Sequence, residues 1–160
     1  MLLMIAILCM GPQASGRQLS GKVVEVLTGS KIVVNAKGKR FLVSLREADC
    51  PEPGQPYFKD ALALTESLVD GQFVIVTIES ANEDKIVGEV QYINSQNLSF
   101  QLLKAGMAFW SPETGKVNSY KNMEQNARDS KTGMFKTPDL TPPWEYRENI
   151  KAENDKKRSN

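Results

Sequence analysis

Residues 41–52 read FLVSLREADCPE, an alternating apolar run that ends in an acidic corner stopped by proline. Phe41, Val43 and Leu45 are spaced for one face of a strand with Leu42 on the other, and Asp49, Pro51 and Glu52 follow where the chain must turn. Two carboxylates three residues apart at a strand end suit a hard-metal phosphodiester site, one holding the ion and one activating a water. The same spacing also describes an ordinary solvated turn, so the corner by itself leaves both readings open.

Working outward, the runs KVVEVL (22–27) and KIVV (31–34) are β-branched and parted by Thr28-Gly29-Ser30, and Lys37-Gly38-Lys39 separates the second from the Phe41 run. This predicts three antiparallel strands on tight turns. After Pro53-Gly54-Gln55-Pro56, the positions Phe58, Ala61, Leu64 and Leu68 fall at helical spacing and Gly71 supplies a stop. FVIVTI (73–78) and IVGEVQYI (86–93) predict two further strands. Beyond them, helices are expected at 97–103 and 119–131, then a proline-rich stretch at 137–149 running extended with Trp144 and Tyr146 as anchors. Residues 151–160 are charged and expected to form a flexible tail. Three strands, a helix, two strands and more helices is the order of a five-stranded Greek-key barrel of the oligonucleotide/oligosaccharide-binding type: an α+β fold, mainly β, with about three helices.

The 160 residues suffice for one globular domain, expected at 17–150. A formal charge of +1 lacks the footprint of a dedicated nucleic-acid binder. The absence of His leaves acid–base and metal chemistry to carboxylates, Tyr, Lys and Cys. Residues 1–10, MLLMIAILCM, are too short to span a bilayer and fit a signal-peptide core, with cleavage after Gly16. Export to the periplasm or outside is therefore expected, with a retained N-terminal anchor as the alternative. Without residues 1–16, Cys50 is the one cysteine left, so no internal disulfide forms.

The pieces GKVVEVLTGSKIVV, LREADCPEPGQPYFKDA, LLKAGMAFW, MEQNARDSKTGMF and PPWEYR, in this order, resemble the staphylococcal-nuclease-like (thermonuclease) family from about Gly21 to Arg147. The resemblance implies calcium-assisted hydrolysis of phosphodiesters in DNA or RNA, by two Asp ligands, a Glu that activates water and two Arg that neutralise the phosphate. Asp49 falls on one metal-ligand position and Glu52 on the base position. The second metal carboxylate falls on Ser30, beside the positive charge of Lys31. The first Arg position is Ser44, and the second falls on Gly88 or on Glu89. Losing one transition-state Arg removes roughly 10³- to 10⁵-fold in phosphoryl transfer, by analogy with arginine fingers.

Arg46 lies two residues beyond Ser44, on the same face if the strand continues, and is the candidate substitute arginine. Lys22, Lys31, Lys37, Lys39 and Arg40 on the first hairpins, with Tyr57 at the helix start, are the candidate nucleic-acid surface. Cys50 has no His to activate it. Two functions follow. One is a catalytically degenerate module that binds nucleic acid or a protein partner, with no cofactor; the other is a calcium-dependent nuclease working through Asp49 and Glu52. No integral membrane span is expected, and a monomer is.

Overall fold

A computed structural model describes residues 16–158. The expected signal or anchor segment therefore lies outside the described residues, apart from Gly16. In chain order the elements are β1 (Gln18–Thr28), β2 (Lys31–Ala36), β3 (Lys39–Leu45), the short β4 (Ala48–Asp49), α1 (Phe58–Val69), β5 (Phe73–Asn82), β6 (Lys85–Tyr92), the short β7 (Gln96–Asn97), α2 (Leu98–Lys104), the short β8 (Phe109–Trp110), α3 (Asn118–Asp129) and α4 (Pro143–Arg158).

The five long strands lie in the order β3-β2-β1-β5-β6, and a parallel pairing of β3 with β6 closes them into a barrel. The length of β1 makes this possible. Its first residues pair with β5 (Gln18↔Thr77 to Lys22↔Phe73) and its later ones with β2 (Lys22↔Asn35 to Thr28↔Lys31), with register shifts along the β2-paired part between Val23 and Thr28. Alternate residues point inward. Val23, Ile32, Val34, Val43, Val76 and Val90 are completely buried, and α1 and α2 cap this core with Ala61, Val69, Leu98, Leu102 and Leu103. The α2 helix starts at a side-chain cap, the Asn97 carbonyl accepting from the Phe100 N–H at 3.1 Å.

The two-residue turn Gly29-Ser30 joins β1 to β2 directly under the acidic corner. A Cβ at Gly29 would lie 2.7 Å from the Cys50 Sγ and 3.0 Å from the Ala61 Cβ, so the residue must lack one for the turn to pack there. The Leu45 N–H donates to the Ser30 carbonyl at 3.0 Å and the Arg46 N–H to the Gly88 carbonyl at 3.0 Å. The start of β2, the end of β3 and the middle of β6 are thereby laced together near Asp49.

The proline-rich stretch departs from expectation. It turns helical at Pro143, and α4 continues to Arg158, so residues 151–158 extend a helix instead of fraying, and the helices number four among the described residues. Proline suits the first helical turn because it has no N–H to leave unpaired there, and the Tyr146 N–H donates to the Pro142 carbonyl at 3.1 Å to start the ladder. A second apolar cluster seats this helix. Phe109, Ala127, Met134 and Phe135 are buried together, with Tyr57, Leu140 and Trp144 packed on them. Phe109 meets Phe135 and Trp144 edge-on at 5.6 and 5.8 Å between ring centres, and the Arg128 guanidinium lies 4.2 Å from the Phe135 centre. The docking of Trp144 thus agrees with expectation, but it holds a helix and not an extended strap.

Candidate active-site cleft

Beside the laced strands is an open cleft of about 270 Å³, lined in part by Lys31, Ser44, Asp49, Val87, Glu113 and Arg147. Asp49 is set by the β4–β8 pairing, opposite Phe109. Two residues later Pro51 and then Pro53 prevent further pairing, and the chain turns so that Glu52 comes back beside Asp49. The Glu52 N–H donates to the Gln55 side-chain carbonyl at 2.8 Å, and the Gln55 amide donates to the Thr141 carbonyl at 2.8 Å. The corner is therefore fastened to the segment that leads into α4.

Arg147, one turn into α4, occupies the centre of the site. Its two terminal nitrogens donate to both Asp49 oxygens at 3.2 and 2.8 Å, and one of them donates to Glu52 at 2.8 Å. Lys31 donates to the same Glu52 oxygen at 2.9 Å. Two carboxylates thus face two cations of the chain itself, with the carboxylate side chains only 12% and 13% exposed. Burial pushes the Asp49 carboxyl above its ordinary value despite the Arg147 bonds. Burial also works against ionisation of Glu52, but there the bonds from Lys31 and Arg147 outweigh it and hold the carboxyl below its ordinary value. The bonds to Asp49 and Glu52 raise Arg147 further above its ordinary range, so it stays charged at any working pH. Complete burial beside Asp49 and Glu52 pushes the Cys50 thiol well up, which keeps it protonated and unreactive.

The other positions implied by the resemblance separate. Ser30 is buried, and its hydroxyl accepts from the Cys50 N–H at 3.3 Å, serving the turn. Ser44 does line the cleft, between Lys31 on β2 and Val87 on β6. Gly88 does not face it. Its missing side chain points at the backbone of β5, where a Cβ would stand 2.5 Å from the Thr77 carbonyl oxygen. The β6 residue facing the cleft is Val87, so an arginine at Gly88 has nowhere to go.

Arg46 is also not the expected substitute. β3 ends at Leu45, and the guanidinium turns into a cage of carboxylates, donating to Glu47 at 2.9 Å, to Glu79 at 3.2 Å and to Glu89. Glu47 is fully buried, and accepts in addition from the Trp110 indole N–H at 3.1 Å and from the backbone N–H groups of Lys116 and Val117. Desolvation opposes the Arg46 charge, yet Glu89, Glu47 and Glu79 together raise its pKa. This network fastens the 111–117 loop to the barrel and commits all three guanidinium nitrogens of Arg46 to carboxylates of the chain itself.

The candidate nucleic-acid surface is largely self-neutralised. Lys31 is committed to Glu52, Lys39 pairs with Asp84 at 2.7 Å and Arg40 with Glu25 at 2.5 Å, while Lys37 stands exposed at the β2–β3 turn. Tyr57 precedes α1 with φ 65° and bonds through its hydroxyl to the Thr137 hydroxyl at 2.7 Å, packing on the α4 seat. Sequence reasoning missed Arg147 as a site residue. The usable signal was its place three residues after Trp144, on the same helical face once Pro143 is read as a helix start.

The calcium ion that the resemblance implies does not fit these residues. Asp49 has no second aspartate opposite it, and the Ser30 hydroxyl is spent on the Cys50 N–H. Lys31 and Arg147 already hold the positive side of the carboxylate pair. Among the described residues no three metal-ligating side chains are grouped to hold an ion.

The sequence matches the profile of the Staphylococcal nuclease homologue family over residues 42–137. An uncharacterized endonuclease of Escherichia coli is 32% identical over 131 residues, 81% of this chain and 85% of that one. The micrococcal nuclease of Shigella flexneri is 27% identical over 138 residues, 79% of each chain. The staphylococcal-like nuclease CAN1 of Arabidopsis thaliana is 27% identical over 117 residues, 72% of this chain and 36% of that longer protein. A closed five-stranded barrel with its acidic corner at the β3 end, and a family profile covering more than half of the sequence, agree: the chain belongs to the staphylococcal nuclease family.

Proposed function

We propose that this chain is a non-catalytic member of its family, a binding module whose former cleavage site is closed by ion pairs of its own. The observation that carries the reading is Arg147, bonded to both Asp49 and Glu52 where a cation and a scissile phosphate would need them. The missing second aspartate and the missing arginines, at Ser44 and at Gly88 or Glu89, point the same way, since each loss removes charge stabilisation that the reaction requires. A self-neutralised cleft and a net charge of +1 favour a protein partner or a weakly held nucleic acid over a tightly held polyanion.

A second reading, a calcium-dependent nuclease, rests on Asp49 and Glu52 standing together in one cleft and on relatives named as nucleases. One assay separates the two. The purified chain is incubated with single-stranded and double-stranded DNA and RNA, with calcium or with a chelator, beside Glu52→Gln. The proposal expects no cleavage above that of the variant. Calcium-dependent cleavage that Glu52→Gln abolishes would establish the nuclease.

A further inference from the structure

Away from the cleft, toward the other end of β6, the outer barrel face carries apolar side chains that no described residue covers. Phe73 is 75% exposed, Ile93 54% and Ile75 42%. They border a shallow hollow of about 490 Å³ between β5 and the turn after β6. Lone exposed apolar residues are ordinary, but three around one hollow on a small domain mark a surface that is used.

Two further observations say by what. The chain enters the barrel at this spot: Gln18 pairs with Thr77, Ser20 with Ile75 and Lys22 with Phe73. Residues 1–10, which carry no charged side chain, therefore attach a few residues before the patch. A cation adjoins the face: Lys22 is exposed and sits beside Phe73 in register, and Lys22, with the exposed Arg17 before β1 and Lys37 after β2, makes no ion pair among the described residues. The acid closest to Phe73 along the chain is Asp70, at the end of α1. An apolar face with a free cation beside it, on a barrel preceded in sequence by an uncharged apolar segment, matches a bilayer with anionic headgroups: apolar side chains enter the interface and the cations meet phosphate and carboxylate groups.

We propose that the Phe73–Ile75–Ile93 face is a membrane-surface docking site for anionic bilayers, acting together with residues 1–10 as a second anchor. On β6 the cleft residue Val87 and the hollow residue Tyr92 are five positions apart, about 17 Å along the strand, so the docked face and the cleft are separate surfaces. The face docks the barrel flat against the surface and fixes which side partners approach.

The test is flotation of the full chain with vesicles of phosphatidylcholine, with or without phosphatidylserine, comparing the parent with Phe73→Ser/Ile93→Ser and with Lys22→Glu. Both sites are exposed, so the variants keep the fold, which a thermal melt checks. The parent is expected to float with the phosphatidylserine vesicles. The double variant should bind them about tenfold more weakly. Lys22→Glu should lose affinity only for the anionic vesicles. Equal flotation of parent and double variant overturns the proposal, because residues 1–10 then bind alone. No flotation of the parent overturns it too. So does a parent dimer that the double variant breaks without any change in flotation, since the face would then join two copies.

Discussion

Replacing Arg147 with methionine removes the cation that holds Asp49 and Glu52 while keeping an unbranched aliphatic side chain. Stripping one partner from a buried ion pair costs about 3–5 kcal/mol, and an exposed pair about 0.2–1 kcal/mol. Arg147 is 39% exposed while its partners are nearly buried, so solvent screening discounts the upper figure. A loss of about 2 kcal/mol follows, worth roughly 6 °C in Tm for a chain of 160 residues. The sign with pH is fixed by the bared carboxylates. Two like charges with one remaining cation, Lys31, cost most when both are ionised, so the variant's deficit shrinks on acidification as they protonate. Calcium supplies a second readout. The parent should gain nothing from it, since its carboxylates are taken; the variant, with the pair freed, should recover about 1.4 kcal/mol, or roughly 4 °C, at ten times its dissociation constant. Differential scanning fluorimetry with and without calcium measures all of this. A parent stabilised by calcium as much as the variant would refute the closed-site reasoning, and so would a variant as stable as the parent at neutral pH.

Gly88→Ala places a Cβ 2.5 Å from the Thr77 carbonyl oxygen, and should lower stability by about 1–3 kcal/mol in a denaturant melt. For the same reason, rebuilding the lost charges with Ser30→Asp, Ser44→Arg and Gly88→Arg should yield unfolded protein, whereas Val87→Arg in the third place should stay folded by circular dichroism. Glu47→Ala orphans the Trp110 indole N–H, two backbone N–H groups and one edge of Arg46, and should cost about 3–5 kcal/mol; a melt within 1 °C of the parent's would contradict the buried network. Acid stability should split between the two site carboxylates. Glu52, held below its ordinary 4.5, contributes stability above that value that is lost as the pH falls through its folded pKa, so Glu52→Gln flattens the acid fall in Tm. Asp49, raised above its ordinary 3.8, loses stability as the pH rises through that window, so Asp49→Asn steepens the fall; identical slopes in the two variants would refute the assignment.

Much of the barrel was readable because strand period and turn chemistry are local. The β-branched runs around Gly29 and Lys37-Gly38, and the alternation of Phe41, Val43 and Leu45, need no distant partner to be recognised. The site was harder, because its decisive contacts are long-range. Arg147 reaches Asp49 across 98 positions, and it does so only because Phe109, Phe135 and Trp144 seat α4. A stretch with Pro138, Pro142 and Pro143 reads as a helix breaker until the last proline is recognised as a helix start. The choice between Gly88 and Glu89 was set as a one-residue ambiguity, and one residue in a strand is the difference between its two faces. The β3–β6 register sets Val87 beside Ser44 and turns Gly88 to the other face, while Glu89 shares the Val87 face and is engaged by Arg46. Arg46 was misplaced because strand alternation was carried one step past Leu45, where β3 ends.

The seam that closes the barrel also sets an order of events in time. Each hairpin, β1–β2, β2–β3 and β5–β6, joins neighbours in sequence, but β3 meets β6 in parallel, Leu42 against Lys85 through Leu45 against Gly88, across more than 40 residues. Closing a loop of that size carries an entropic cost before any contact repays it, so this pairing is expected to form after the hairpins. Ser44 and Val87 belong to the seam, so the cleft is assembled only after the hairpins, with the long-range pairings of β3 with β6 and β1 with β5. Truncating Ile86 to alanine should then speed unfolding far more than it slows refolding, while truncating Val34, within the β2–β3 hairpin, should act mainly on refolding.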